Sequence, residues 1–212
     1  MIHEVDAALR AVVVDGALHG GGVEFAMEAP TREWAARRTG PTVNAYLYDV
    51  HEERSRRESG PLPVRNEGGA VIQLRQPPRW YRLCYLVTAW TARAEDEHRL
   101  LSAVLGTLIR TETLPRKHFG PILRQAALTV PVTVAARTDR DRSASELWTA
   151  LGGQLKPALE VVVTAPFPVG PEFELAPLAR EVEVRVHSVD GEVLGEPRRG
   201  PRGVEAARTA RP

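Results

Sequence analysis

The segment from Leu83 to Ile109 constrains the fold most, because it joins a strand periodicity directly to a helix periodicity. Apolar residues alternate along its first part and just before it, which predicts a strand with one buried face: Tyr81, Leu83, Tyr85, Val87 and Ala89. Apolar residues then recur at helical spacing: Leu101, Val104, Leu105, Leu108 and Ile109. Thr91 is the predicted N-cap, and Glu95, Asp96 and Glu97 follow in the first turn, where the helix dipole favours negative charge. The segment therefore predicts a rigid strand–helix scaffold.

The composition is that of a soluble globular chain. The 212 residues are 43% hydrophobic and 26% charged, which is enough for one sizeable core, so we predict a single domain over residues 1–194. The net charge of +1 provides no overall field to attract nucleic acid or an anionic membrane. The single cysteine, Cys84, lies within the central strand and is predicted to be a buried core residue.

The N-terminal segment predicts an amphipathic helix over Ile2 to Leu18 that ends at the glycines Gly20 to Gly22. It carries acidic residues from Glu4 onward, so it is not typical of a signal peptide. No run in the chain approaches the roughly 18 apolar residues of a membrane span. Membrane contact is therefore not indicated, and we expect a cytoplasmic protein, unless a carrier machine exports it.

The remaining patterns predict strands and short helices that do not alternate strictly. Predicted strands cover 23–27, 42–50, 71–74, 128–135, 157–164 and 180–187, and Asp190-Gly191 is a plausible hairpin turn after the last of these. Pro131 places its strand at an edge or a bulge. A turn or short helix is predicted at 30–38, and a short helix after Ser143 as N-cap. Residues 51–79 are predicted to be a long mobile arm or loop, and 195–212 a disordered basic tail. The resulting fold class is α+β, with a mixed, largely antiparallel sheet flanked by helices.

Motifs that carry chemistry are weak throughout the chain. The glycines after His19 are similar to an oxyanion-hole stretch of some esterases, but no serine lies in the required G-x-S-x-G elbow. Glu95 and His98 form one Glu-x-x-His pair, whereas di-iron bundles need two that converge. Phosphate-binding glycine motifs are absent from the sequence. We therefore predict no catalytic, cofactor-binding or metal-binding residues, no cofactor and no small-molecule substrate.

Basic and aromatic residues indicate possible partner surfaces. Arginines cluster in the predicted arm and in the tail, but acids interleave with both clusters and neither contains an aromatic residue on which bases could stack. A module that binds nucleic acid through this arm and tail is the alternative function. The favoured prediction is a protein interface without nucleic acid, and its candidate residues are Trp34, Arg37, Arg38, Arg54, Arg56, Arg57, Val71 and Leu74.

Four blocks together resemble one family. They are MIHEVDAALR at 1–10, APTREWAARRTGPTVNAYLYDVHE at 29–52, LCYLVTAWTARAEDEHRLLSAVLGTLIR at 83–110 and ELWTALGGQLKPALEVVVTAP at 146–166. They are similar to the cap, or tube-terminator, proteins of bacterial contractile injection systems, which are phage-tail-like particles. Residues 57–79 and those beyond about 166 match weakly, so nothing is carried over to them.

The resemblance implies a structural role. It implies a homo-hexameric ring that contacts inner tube and sheath subunits, ends the polymerisation of both and holds the sheath extended. It implies a tail-terminator-like sheet flanked by helices, with no catalysis and no cofactor. Assembly into the particle would take place in the cytoplasm, from which the protein could be released with the particle.

Overall fold

A computed structural model describes residues 1–126, 129–136, 144–170, 173–174, 182–184 and 198–200. Its described part divides into two compact units, Met1–Leu62 with Arg75–Pro171, and Pro63–Leu74 with the described pieces of the C-terminal part. The segment 63–74 thus groups with residues far along the chain, and a single domain over 1–194 stays a prediction.

The first unit is built on a central sheet. Its strands are β1 (Glu24–Ala26), β2 (Thr42–Glu52), β5 (Arg79–Trp90), β6 (Val132–Val134) and β7 (Ala158–Phe167). In the described residues their order is β1-β2-β5-β7-β6, with β1 parallel to β2 and every other neighbouring pair antiparallel. This mixed, mostly antiparallel sheet with its helices confirms the predicted fold class.

Five α-helices accompany these strands in the described part of the chain. They are α1 (Ile2–Gly16), α2 (Arg32–Arg37), α3 (Ala94–Ile109), α4 (Pro121–Ala126) and α5 (Ala144–Ala150). A 3-10 turn at Arg54–Arg56 follows β2, and another at Arg116–His118 precedes α4. The predicted helices at 2–18 and 30–38 and the helix after residue 143 are confirmed, whereas Ser143 itself lies outside the described residues.

One face of the sheet carries the main core. The alternating residues Leu83, Tyr85, Val87 and Ala89 of β5 are all at most 1% exposed, as the period-two pattern predicts. Leu83, Tyr85 and Val87 pack with the apolar stripes of α1 and α3, in a cluster that includes Val5, Leu9, Val13, Val104 and Leu108. Cys84 points into the opposite face and is buried, as predicted.

Two details of the strand–helix segment differ from the prediction. Arg93, not Thr91, occupies the N-cap of α3. The Thr91 hydroxyl donates a hydrogen bond to the Arg93 carbonyl at 2.6 Å and does not accept one from a backbone N–H of the first helical turn. Ile109 is 62% exposed and lies outside the core, because α3 ends at this residue.

The predicted edge position of Pro131 is confirmed. It precedes β6, which is an outer strand of the sheet in the described residues, and it forms an isolated bridge with Thr113. The predicted strand began at Leu128, which lies outside the described residues.

The second unit contains short strands. β3 (Leu62–Arg65), β4 (Val71–Arg75) and β8 (Phe173–Glu174) are neighbours in one sheet, and β9 (Val182–Val184) pairs antiparallel with β10 (Arg198–Gly200). Within the predicted mobile arm, Asn66 closes an ordered turn: its side chain accepts from the Ala70 N–H at 2.9 Å, and Gly69 has φ of 79°.

These strands modify two sequence predictions. Within the predicted arm at 51–79, the predicted strand at 71–74 is present as β4, and β3 is a further strand that the sequence did not indicate. Three residues of the predicted disordered tail, Arg198–Gly200, form a strand. The rest of 195–212 and the predicted turn at Asp190-Gly191 lie outside the described residues.

Candidate functional site

A second hydrophobic cluster lies on the sheet face opposite the main core. This tryptophan cluster consists of Trp34, Leu86, Trp90 and Trp148, each at most 8% exposed. The Trp34 and Trp90 rings meet edge to face, with centroids 5.4 Å apart and planes at 77°, and the Trp90 and Trp148 centroids are 6.4 Å apart. Offset and edge-to-face contacts are the geometries that aromatic quadrupoles favour.

Local sequence signals place each ring. The side chain of Thr31 accepts from the Trp34 N–H at 3.2 Å and caps α2, which turns Trp34 onto the sheet. Trp90 is the last residue of β5, and its indole N–H donates to the Thr88 hydroxyl at 2.8 Å. Trp148 lies on α5 and is 2% exposed. The cluster therefore joins two short helices to the end of the central strand.

Two cations lie against this cluster. The Arg38 guanidinium carbon is 4.9 Å from the Trp90 ring centroid and 5.6 Å from that of Trp34. The Lys156 ammonium is 3.9 Å from the Trp90 centroid. Each distance is within the range of a cation–π contact, and the indole is the strongest aromatic partner for such contacts.

Lys156 has a dedicated carboxylate partner. Its ammonium is 2.5 Å from Glu97 Oε1, and both side chains are less than 20% exposed. The same Glu97 oxygen accepts from the Thr91 N–H at 3.2 Å. A largely buried ion pair needs such extra hydrogen bonds to offset desolvation. Glu97 thus fixes the segment before β7 to the first turn of α3.

Arg38 has no equivalent partner. No carboxylate of the described residues lies within 4.0 Å of it; its Nη1 donates to the Gly40 carbonyl at a long 3.4 Å, and its buried Nε has no hydrogen-bond acceptor there. Burial lowers the pKa of Arg38 from its ordinary value, and the charge of Glu97 partly opposes that shift. An arginine nevertheless stays charged in proteins, and the charge of Glu97 compensates this half-buried cation only partly, without direct contact.

A cleft of 430 Å³ opens beside this cation. We call it the basic cleft, and its walls come from the start of α2, the end of β5, the first turn of α3 and the loop before β7. Three basic side chains and one acidic side chain line it: Arg32, Arg38, Lys156 and Glu97. Leu155 on its rim is 66% exposed. The cleft therefore combines an apolar wall with net positive charge.

The predicted interface residues Trp34, Arg37 and Arg38 occupy different environments. Trp34 is 7% exposed and core-packed, so it offers little surface to a partner. Arg37 is exposed on α2, and Arg38 lies in the basic cleft. Sequence reasoning missed Lys156 and its pairing with Glu97, since no local pattern connects residues 59 positions apart.

The arginines of the predicted arm lie at a separate place. Arg57 Nε pairs with Glu52 at 3.2 Å, and the Arg56 guanidinium lies 4.8 Å from the Trp80 ring centroid. Arg54 is exposed. We expected no aromatic residue beside this arginine cluster. That expectation is wrong for the folded chain, because β5 brings Trp80 next to the 3-10 turn. Within this cluster Arg57 pairs with Glu52, and the same two acidic residues, Glu52 and Glu53, also pair with Arg79 and Arg82 of β5.

Val71 and Leu74 belong to β4 and are half-buried in the second unit. Leu74 pairs with Phe173 of β8. The two residues lie in the strand β4, most of which belongs to the other unit than the basic cleft, and their part in an interface stays a prediction.

The motifs considered for chemistry have local structural roles. The His19 ring contacts the Gly16 carbonyl at 2.8 Å at the end of α1, which is consistent with helix termination. Glu95 pairs with Arg93 at the surface. Among the described residues there is no group of three or more histidine, cysteine, aspartate and glutamate side chains that could hold a metal ion. The same part of the chain contains no helix long and apolar enough to cross a membrane.

The fold of the chain is similar to that of a solved sheath/tube terminator. The sequence model described as the Pvc16 N-terminal domain matches residues 4–180, and the chain therefore belongs to this family.

Two solved structures share the fold. One is the sheath/tube terminator of PVC, an extracellular contractile injection system, in its extended state; its TM-score is 0.64 at 19% identity, over 89% of this chain and 65% of that chain. The other is the tube-terminating cap of the anti-feeding prophage, with a TM-score of 0.56 at 19% identity, over 82% of this chain and 57% of that chain. This chain thus spans less than two thirds of the length of either neighbour. No curated protein matches it.

Proposed function

We propose that this protein is a structural cap of a contractile injection particle, which ends the inner tube and the sheath and holds the sheath extended. The proposal rests on the family match over residues 4–180. It is supported by a fold that is similar to that of a sheath/tube terminator over 89% of the chain. The protein would act by shape: a rigid two-faced sheet presents fixed surfaces, and no step requires a reactive group.

The proposed assembly is a homo-hexameric ring on the last layer of tube and sheath. A ring needs a heterologous interface that closes on itself, and such an interface leaves one face of the ring for the filament. The proposed surfaces are the exposed arginines of α2 and of the 3-10 turn, with β4 of the second unit as a further contact. Assembly would take place in the cytoplasm before release with the particle.

Particle length is the direct test. Particles produced from a complete gene cluster with and without this gene would be imaged by negative-stain electron microscopy. We expect particles without the protein to have tubes of uncontrolled length and fewer extended sheaths, and the added gene should restore both. Extended particles of normal length in its absence would refute the capping role.

The alternative of a nucleic-acid module predicts binding that falls steeply with salt. The acids beside the arm arginines disfavour it, because Glu52 and Glu53 lie within 4.0 Å of three basic side chains. Fluorescence anisotropy with a labelled oligonucleotide at several salt concentrations distinguishes the two functions.

A further inference from the structure

We propose that the basic cleft is a docking site for an acidic segment of another protein chain, in which Arg38 binds a carboxylate and Leu155 contacts a neighbouring apolar side chain. This inference is independent of the proposed function, because it concerns binding by the purified protein and requires no particle.

The only partly compensated charge of Arg38 is the first argument. Burying a cation without a partner is costly, and buried charges in proteins are normally paired. Arg38 is half-buried against two tryptophan rings, and no carboxylate of the described residues lies within 4.0 Å. Its buried Nε is out of reach of a ligand, but a carboxylate from outside would supply a charge partner for the terminal nitrogens of the guanidinium through charge-assisted hydrogen bonds.

Pre-organisation of the cation is the second argument. The rings of Trp34 and Trp90 fix the guanidinium, and its Nη1 is oriented by the Gly40 carbonyl. A ligand therefore does not have to immobilise a free arginine side chain, which is a common cost of binding at exposed arginines. Arg37, the last residue of α2, is exposed and makes no such stacking contact among the described residues.

The charge and shape of the cleft select the occupant. Its single acidic side chain, Glu97, is already engaged by Lys156, so Arg32 and Arg38 leave net positive charge toward the opening. The volume of 430 Å³ suits a few residues of a peptide. The exposed Leu155 side chain on the rim favours an apolar neighbour beside the acid. A nucleic-acid strand fits less well, because the indole faces near the cleft already hold cations and are buried.

A random peptide library tests the chemistry of the occupant. Seven-residue peptides displayed on phage would be selected on the purified full chain and, in parallel, on Arg38→Gln. We expect the wild type to enrich peptides with Asp or Glu next to an aliphatic or aromatic residue, and Arg38→Gln to lose that enrichment. An equal outcome for the two proteins, or enrichment without acidic residues, would overturn the proposal.

The most enriched peptide would then be labelled and measured by fluorescence anisotropy. Arg38→Gln should weaken binding by about tenfold or more, because a charge-assisted pair is lost. Arg37→Gln is the matched control and should leave binding unchanged. A labelled single-stranded oligonucleotide is measured in parallel, and tighter Arg38-dependent binding of that strand than of the peptide would contradict the proposal.

A second pair of variants avoids any loss of core packing. Leu155 is 66% exposed, so Leu155→Asp and Leu155→Asn should both fold like the wild type, as checked by near-ultraviolet circular dichroism. The aspartate would repel an acidic ligand, and we expect it to weaken peptide binding several-fold more than the asparagine. Equal effects of the two variants would show that charge does not govern the cleft.

Discussion

Glu4 and Leu123 are joined across 119 residues by a hydrogen bond in which the Leu123 N–H donates to Glu4 Oε2 at 2.7 Å. The other carboxylate oxygen accepts from the Ile122 N–H at 3.1 Å. The buried carboxylate of α1 thus satisfies two free N–H groups at the start of α4, which would otherwise have no partner within the helix. One side chain thereby fixes the short helix α4 to the first helix of the chain.

Removal of this carboxylate should destabilise the protein. Glu4→Ala leaves two backbone donors without acceptors in a buried place, and we expect the free energy of unfolding to fall by about 2–4 kcal/mol. Urea denaturation followed by circular dichroism measures it. Glu58→Ala, at an exposed position, is the control and should change little. A loss of unfolding free energy smaller than that of the control would mean that the hydrogen bonds of Glu4 to α4 do not stabilise the protein.

The same carboxylate predicts a pH dependence. Burial alone would raise the pKa of Glu4, but the hydrogen bonds from Leu123 and Ile122 outweigh it and hold the pKa below its ordinary value of 4.5. Its stabilising contribution is therefore full above pH 4.5 and is lost as the pH falls through the lower folded-state pKa. The difference in unfolding free energy between wild type and Glu4→Gln should shrink on acidification from pH 6 to pH 3. A difference that stays constant over this range would contradict the assignment.

Gly16 is required by the close approach of α1 to α3. A Cβ at this position would collide with the Thr107 side chain, chiefly with its methyl group. We expect Gly16→Ala to destabilise the protein by about 1–3 kcal/mol, and the added substitution Thr107→Ser to restore part of that loss by removing the methyl. Gly20→Ala is the control, because nothing lies within 4 Å of its Cβ position. Additive effects in the double variant would exclude this contact as the cause.

Tyr85 is predicted to remain protonated at alkaline pH. Burial raises its pKa well above 10, and the hydrogen bond that its hydroxyl donates to Asp6 at 2.7 Å adds to the shift. The absorbance change at the tyrosinate wavelength should therefore be the same for wild type and Tyr85→Phe until the protein unfolds. Tyr85→Phe should also lower stability by about 1–2 kcal/mol. A smaller tyrosinate signal in the variant while both proteins are folded would refute the prediction.

Trp34 is predicted to stabilise the subunit itself, whatever role it has in a partner interface. Trp34→Ala removes a ring that is 7% exposed and contacts Trp90 and Arg38, so we expect a loss of about 3–5 kcal/mol in unfolding free energy. Trp80→Ala, at a half-buried ring, is the comparison and should cost less. Similar losses in the two variants would show that the tryptophan cluster is not a core.

The sequence by itself determined the elements whose signals are local. The alternation at 83–89 and the helical stripe through Val104 and Leu108 both predicted buried faces correctly, because side-chain direction follows backbone period. Pro131 located an outer strand for a similar reason, since proline cannot donate to a sheet ladder. Exact helix ends were less determined, because the Thr91 hydroxyl donates to the Arg93 carbonyl and leaves the N-cap of α3 to Arg93.

Only the tertiary structure decided which distant residues meet. Three contacts join segments that share no periodic pattern. They are the pairing of β4 with β8, the Glu97–Lys156 ion pair and the contact of Arg56 with Trp80. The basic cleft is of the same kind, since its walls come from four separated parts of the chain. Local propensity acts over a few residues, whereas the charge left only partly compensated at Arg38 depends on which side chains the packed sheet brings within a few ångströms of it.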